Sequence, residues 1–234
     1  MKYIFVTGAP GSKWSSVVKN IYYSHSIDQS DYRHEWTYYH DASGTRELMH
    51  LGAYFDPGMA CDLPENLESF SADELSKIFD EPFDPQAPGT RIIKSHVFAT
   101  HIDYLRRIFP ESPIVLVHRG DDACLGWWVK CGHFDITYPR YEPYYKNLAT
   151  MAGIIKQQNT AILKAWWKYS GKVCVNNLEL AKHLQIDAPP KEYQQDYVVS
   201  DVRVMVIRNP VGHKLEHRAH IILILSGWTH ASMC

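Results

Sequence analysis

The sequence predicts an α/β fold in one domain spanning residues 1–234: a three-layer sandwich whose central, mostly parallel sheet is flanked by helices. Three observations predict it. The segments "KYIFVT" (2–7), "GTRIIKSH" (89–96) and "SPIVLVHR" (112–119) carry continuous rather than alternating apolar runs, the pattern of strands covered on both faces. Each is followed by a segment of helical period, as βα units require. The composition, 45% hydrophobic and 21% charged over 234 residues, is that of a chain able to bury a substantial core.

The elements follow in order. After the first strand comes "VTGAPGSKWSS" (6–16), a Gly- and Pro-containing turn, and then "SSVVKNIYY", with Val17, Val18 and Ile21 at helical spacing. Residues 25–65 are aromatic, rich in histidine and broken by Gly and Pro, which predicts an irregular excursion. Its stretch 32–58, with "HLGAYFDPG", suits either the lining of an acceptor site or a loop packed over the core. "SADELSKIF" (71–79) places Ser71 three residues before Glu74, the capping-box spacing that starts a helix. In "THIDYLRRIF", Ile102, Leu105 and Ile108 share a helical face, and Pro110 ends it.

Asp121 is the expected N-cap of "DACLGWWVKC", where Cys124, Trp127, Trp128 and Cys131 line one stripe. A helix over about 144–168 is predicted by Leu148, Met151, Ile155, Asn159, Ile162 and Trp166. "KVCVNN" (172–177) predicts a short strand and "LELAKHL" a short helix. Beyond Pro190, "YVVSDVRVMVI" suits a strand, and "KLEHRAHIILIL" suits helix or strand equally.

Charge and cysteine usage narrow the function classes. A formal net charge of -2 gives no basic footprint, so no nucleic-acid partner is expected and any bound anion must be met by a local cluster. The five cysteines are scattered without a C-x-x-C pair, which predicts neither a disulfide framework nor a metal site and points to a reducing, cytoplasmic setting. The opening "MKYIFVTG" enters a strand directly, and "IILIL" (221–225) is too short to span a bilayer, so no membrane insertion is expected.

The loop at 6–16 departs from the phosphate loop of nucleoside triphosphatases, G-x-x-x-x-G-K-[ST]. Ser12 precedes Lys13, and Trp14 follows it where a magnesium-binding hydroxyl would stand. What remains is a strand end, the small residues Gly8, Ala9, Gly11 and Ser12, and a helix N-terminus, which suffice for a phosphate. A plain β-to-α turn is the alternative.

In this form the segment resembles the 5′-phosphosulfate loop, P-K-S-G-T-T-W, of sulfotransferases that use 3′-phosphoadenosine-5′-phosphosulfate (PAPS). Gly11, Ser12, Lys13 and Trp14 fall on G-T-T-W, and Ala9 stands where that family has lysine. "RIIKSHVFATHIDYL" resembles the family's K-T-H-L-P-x-x-L, with Lys94, Ser95 and His96 on K-T-H. "PIVLVHRGDDACLGWWVKCGHF" is similar to I-V-Y-V-V-R-N-P-x-D-x-x-x-S-Y-Y-H-F, with Arg119 on the arginine and Gly126 in place of the serine. Around "KVCVNNLELAKHL", Asn176 and Asn177 replace an acidic pair.

The resemblance covers about 3–23 and 89–184 and implies a P-loop-like fold and sulfuryl transfer from PAPS, with adenosine 3′,5′-bisphosphate as product. It implies a hydroxyl or amine acceptor on a small molecule or carbohydrate. It makes His96 the general base and gives Lys94 and Lys13 the charge on the transferring group. Pro10, Gly11, Ser12, Lys13, Trp14 and Ser15 form the cofactor loop, with Trp14 against the adenine, and Arg119 anchors the 3′-phosphate. No metal is required. A P-loop kinase of a nucleotide or small molecule, and a catalytically silent nucleotide-binding protein of the same fold, are the alternatives.

Overall fold

The computed structural model describes residues 1–31, 39–40, 47–48, 51–57, 61–63, 66–130, 147–197 and 201–209. Its centre is a sheet built on β1 (Tyr3–Gly8), which is buried along its whole length. β1 pairs in parallel with β5 (Arg91–Lys94) on one side and with β6 (Ile114–His118) on the other. A two-stranded ribbon, β2 (Tyr39–His40) and β3 (Glu47–Leu48), stands apart from this sheet. The excursion expected to be irregular supplies β4 (Ala53–Tyr54), a parallel edge strand on β5.

The other half of the sheet holds the main departure from a simple parallel order. β7 (Lys172–Cys174), expected as a short strand, is separated from β6 by β8 (Arg203–Ile207), which runs antiparallel to both. The six strands lie in the order β4-β5-β1-β6-β8-β7. The strand expected in "YVVSDVRVMVI" is therefore an interior one, and four of its five residues are buried.

β1 explains why its sequence shows no alternation. Tyr3 and Phe5 face one apolar cluster, while Ile4 and Val6 face another across the sheet. The first cluster receives α2 (Ala72–Asp80), α3 (Ile102–Ile108) and α5 (Leu148–Lys168) through Phe79, Leu105 and Ile162. The second receives α1 (Trp14–Tyr22) and α6 (Asn177–Leu184) through Val18, Ile21 and Leu184. Helices thus cover both faces. α4 (Asp121–Lys130) packs on α5 through Cys124, Trp128, Met151 and Ile155, in a third small cluster that includes Ala9 of the loop.

Local signals hold where they are made of side chain and backbone together. Ser71 and Glu74 form the full capping box of α2. Asn147 caps α5 by accepting from the Thr150 amide, and this puts Leu148 in the first turn, 53% exposed instead of buried. Asp121 is the first residue of α4, and its carboxylate accepts from Asn159 Nδ2 at 2.7 Å, tying α5 to the start of α4. Cys131, the segment "KLEHRAHIILIL" and the first residues expected for α5 lie outside the described residues. Among the described residues no helix is long and apolar enough to cross a membrane.

Phe79 sits at the centre of an aromatic group, with the rings of Phe55, Phe5, Phe98 and Tyr3 at 5.4, 5.6, 5.9 and 6.0 Å. Phe79→Ala should therefore cost about 3–5 kcal/mol of stability in urea unfolding, the range for emptying an aromatic core site. A loss below about 1 kcal/mol would contradict this packing.

Candidate functional site

The order of the sheet reverses at β1: β5 and β4 lie to one side of it and β6 to the other. In open α/β sheets this reversal leaves a crevice at the carboxyl ends of the strands, where ligands bind. Three segments end there together: the loop 8–13 after β1, Ser95 and His96 after β5, and Arg119 after β6.

The loop is folded tightly against its surroundings. The Ser12 amide donates to Ala9 O at 3.0 Å, and Gly11 adopts φ +79, where a Cβ would lie 2.1 Å from the Cys124 carbonyl oxygen of α4. Lys13 follows in a left-handed conformation, φ 64, as the N-cap of α1. Pro10 and Ser12 are buried, Ser15 is partly exposed, and Ala9 is enclosed by α4 and α5. Ser12 Oγ is buried without a hydrogen-bond partner among the described residues, at the N-terminus of α1.

His96 is clamped to this loop. Its Nδ1 bonds the Gly8 carbonyl, which can only accept, so Nδ1 carries the proton and Nε2 holds the lone pair. Burial pushes the imidazole pKa below its ordinary value, against the opposing pull of the Asp56 carboxylate, so the ring is neutral near pH 7. Asp56, fully buried, accepts from the His96 amide at 3.0 Å and from Ser95 Oγ at 2.7 Å and so fixes the turn that carries the ring. Burial raises the Asp56 pKa.

Trp14 forms the wall behind His96. Its ring centre is 4.2 Å from that of His96 and 5.2 Å from that of Tyr54, and the residue is 4% exposed. The indole beside the cations is instead Trp127, partly exposed, with Lys13 Nζ 5.6 Å and the Arg119 guanidinium 5.9 Å from its ring centre. Trp128, its neighbour, is the core residue. Gly126 is exposed, and a Cβ there would meet nothing within 4 Å.

Lys13 and Arg119 do come together, and an unanticipated residue joins them. Arg119 donates from Nε to Asp201 Oδ2 at 2.9 Å, with Nη2 2.8 Å from the same oxygen, and from Nη1 to Gly11 O at 3.2 Å. Lys13 Nζ is 3.3 Å from Asp201 Oδ1. The Arg119 hydrogen bond, more than any other influence, lowers the Asp201 pKa. The antiparallel β8 accounts for this: its N-terminal end lies at the rim where the parallel strands finish, and Asp201 stands two residues before it.

Lys94 lies elsewhere. It is fully buried at the end of β5, with Nζ donating to Leu51 O and facing the rings of Trp14 and Tyr54 at 5.9 and 5.7 Å. Burial lowers its pKa to about 7, against the attraction of Asp31. Asp31, itself buried and raised to about 6 by burial, accepts from Tyr22 at 2.8 Å. Lys94 is thus a buried amine beneath the Trp14 wall, removed from the open rim. Asp31, Asp56 and Asp201 were missed in the sequence; the one available signal was Asp56, a carboxylate inside the apolar run "AYFDP". The chain matches no family model, no curated protein and no solved structure.

The buried lysine makes stability depend on pH in a defined way. Between about pH 7, the folded value, and about 10.4, the unfolded one, the unfolded chain holds a proton that folded Lys94 has released. Stability therefore rises with pH across that window and is lost as pH falls through 7. Lys94→Met should flatten the rise between about pH 7 and about pH 9 in urea unfolding. Wild-type and variant curves that run parallel would contradict it.

Proposed function

We propose that the chain is a PAPS-dependent sulfotransferase of P-loop-like fold, acting on a hydroxyl or amine of a small molecule or carbohydrate. The observation that carries this reading is the convergence of Lys13, His96 and Arg119 on one loop: His96 bonds the carbonyl of Gly8, and Arg119 that of Gly11. The residues fit an anionic nucleotide. The orphaned Ser12 Oγ lies at a helix N-terminus, a place that favours anions, with Lys13 next to it in sequence and Arg119 bonded to the carbonyl of its other neighbour, Gly11.

PAPS would supply an activated sulfuryl group. With PAPS held at the loop, Nε2 of His96 would accept the acceptor proton. The neutral ring, with its proton held on Nδ1, is in the tautomer this requires. Asp56 and the Gly8 carbonyl hold that ring in place. Lys13 and Arg119 would meet phosphate charge, and Arg119 is the better matched to a phosphate fork. Lys94 would stand beneath Trp14, outside the contact with the phosphates. Trp127, on this geometry, takes the base-facing part that the resemblance gives to Trp14.

A kinase reading needs a hydroxyl after Lys13, and that position is the buried Trp14. Binding without transfer is the second reading, favoured by Ala9 inside an apolar cluster where the resemblance expects a lysine.

His96→Ala should abolish sulfuryl transfer to a panel of alcohols, sugars and phenols while adenosine 3′,5′-bisphosphate still binds. Turnover at the wild-type rate would remove His96 from the mechanism; no turnover by wild-type protein with bisphosphate bound selects the second reading. Tighter binding of ATP·Mg than of the bisphosphate would favour the kinase.

A further inference from the structure

The seat formed by Lys13 and Arg119 already holds an anion, the carboxylate of Asp201, and this contact bears on which ligands the seat accepts. Both oxygens are engaged, Oδ2 by Arg119 and Oδ1 by Lys13, at 2.8–3.3 Å. The side chain is nonetheless 52% exposed, so the contact is open to solvent and to exchange. Both ends of the Lys13 contact sit in left-handed backbone, Lys13 at φ 64 and Asp201 at φ 55.

We propose that Asp201 is a charge filter: it competes for Lys13 and Arg119 so that dianionic phosphate groups enter the seat while monoanions are held out. This rests on the reading of the rim as an anion site, and it goes further by naming the charge the site selects. Among the described residues, two cations face one carboxylate. A monoanion that displaces Asp201 replaces one negative charge by another and gains no Coulombic energy. It also competes with a group tethered in the turn before β8, whose effective concentration is of millimolar order. A phosphate monoester, carrying about -1.5 to -2 at neutral pH, brings the charge that matches both cations. The partly exposed ring of Trp127, within 6 Å of both cations and 5.8 Å from Lys130 Nζ, supplies an adjoining aromatic surface. The seat therefore suits a phosphate borne on a flat ring system.

Phenyl phosphate and phenyl sulfate have the same shape and differ in charge at about pH 8, where the phosphate is fully a dianion. Their affinities are measured by calorimetric titration at low salt, for the wild-type chain, Asp201→Asn and Asp201→Ser, with folding checked by circular dichroism. Wild-type protein should bind phenyl phosphate at least about tenfold more tightly than phenyl sulfate, and both variants should bring that ratio within about threefold, chiefly by gaining affinity for the sulfate. An unchanged ratio in a folded variant, a ratio near one in the wild type, or a wild-type protein that does not bind phenyl phosphate overturns the proposal. The nucleotide reading fails separately: adenosine 3′,5′-bisphosphate that binds no more tightly than phenyl phosphate removes the nucleotide and leaves the filter standing.

Discussion

Parallel pairing of β1 with β5 on one side and β6 on the other is the constraint on which the rest of the molecule depends. Because all three strands point the same way, their carboxyl ends finish at one rim, and segments about 90 to 110 residues apart in sequence become neighbours. The pairing is fixed by burial on both faces. Slipping β1 by one residue would exchange Tyr3 and Phe5 with Ile4 and Val6 between two differently shaped clusters. The rigidity of that arrangement is passed to the candidate site through backbone contacts, His96 to Gly8 and Arg119 to Gly11, so both side chains are held by the loop.

The antiparallel β8 introduces a second theme. A sheet of parallel strands alone would present only carboxyl ends at this rim; β8 brings an amino end, and with it a carboxylate facing two cations. Acidic groups govern the site as much as basic ones do. Asp56 orders the turn that carries His96, Asp31 offsets part of the cost of burying Lys94, and Asp201 balances Lys13 and Arg119. Each basic residue named from the sequence has an acidic neighbour that the sequence did not disclose.

That pattern shows what could be read in advance. Continuous apolar runs located β1, β5 and β6; the Ser71–Glu74 spacing located the start of α2; and the helical stripe Met151, Ile155, Asn159 and Ile162 located the buried face of α5. All of these are local signals, with cause and effect within one element. The convergence of Lys13, His96 and Arg119 was legible because strand direction in an α/β unit decides where strands end. The insertion of β8 between β6 and β7 was not, because a strand's partner is chosen by packing across the chain. Nor could spacing alone separate Trp14 from Trp127. Trp14 is covered because β4, from a segment without periodicity, brings Tyr54 over it, and Trp127 is left beside the cations by the way α4 docks on α5.

The account stands on the rim being one anion-binding site, and a crystal structure of the protein with adenosine 3′,5′-bisphosphate tests that most directly. The account predicts a phosphate within hydrogen-bonding distance of both Lys13 and Arg119, with Asp201 displaced from them and the base against Trp127. A nucleotide bound away from this rim, or none at saturating concentration with the Asp201 contacts intact, would contradict it.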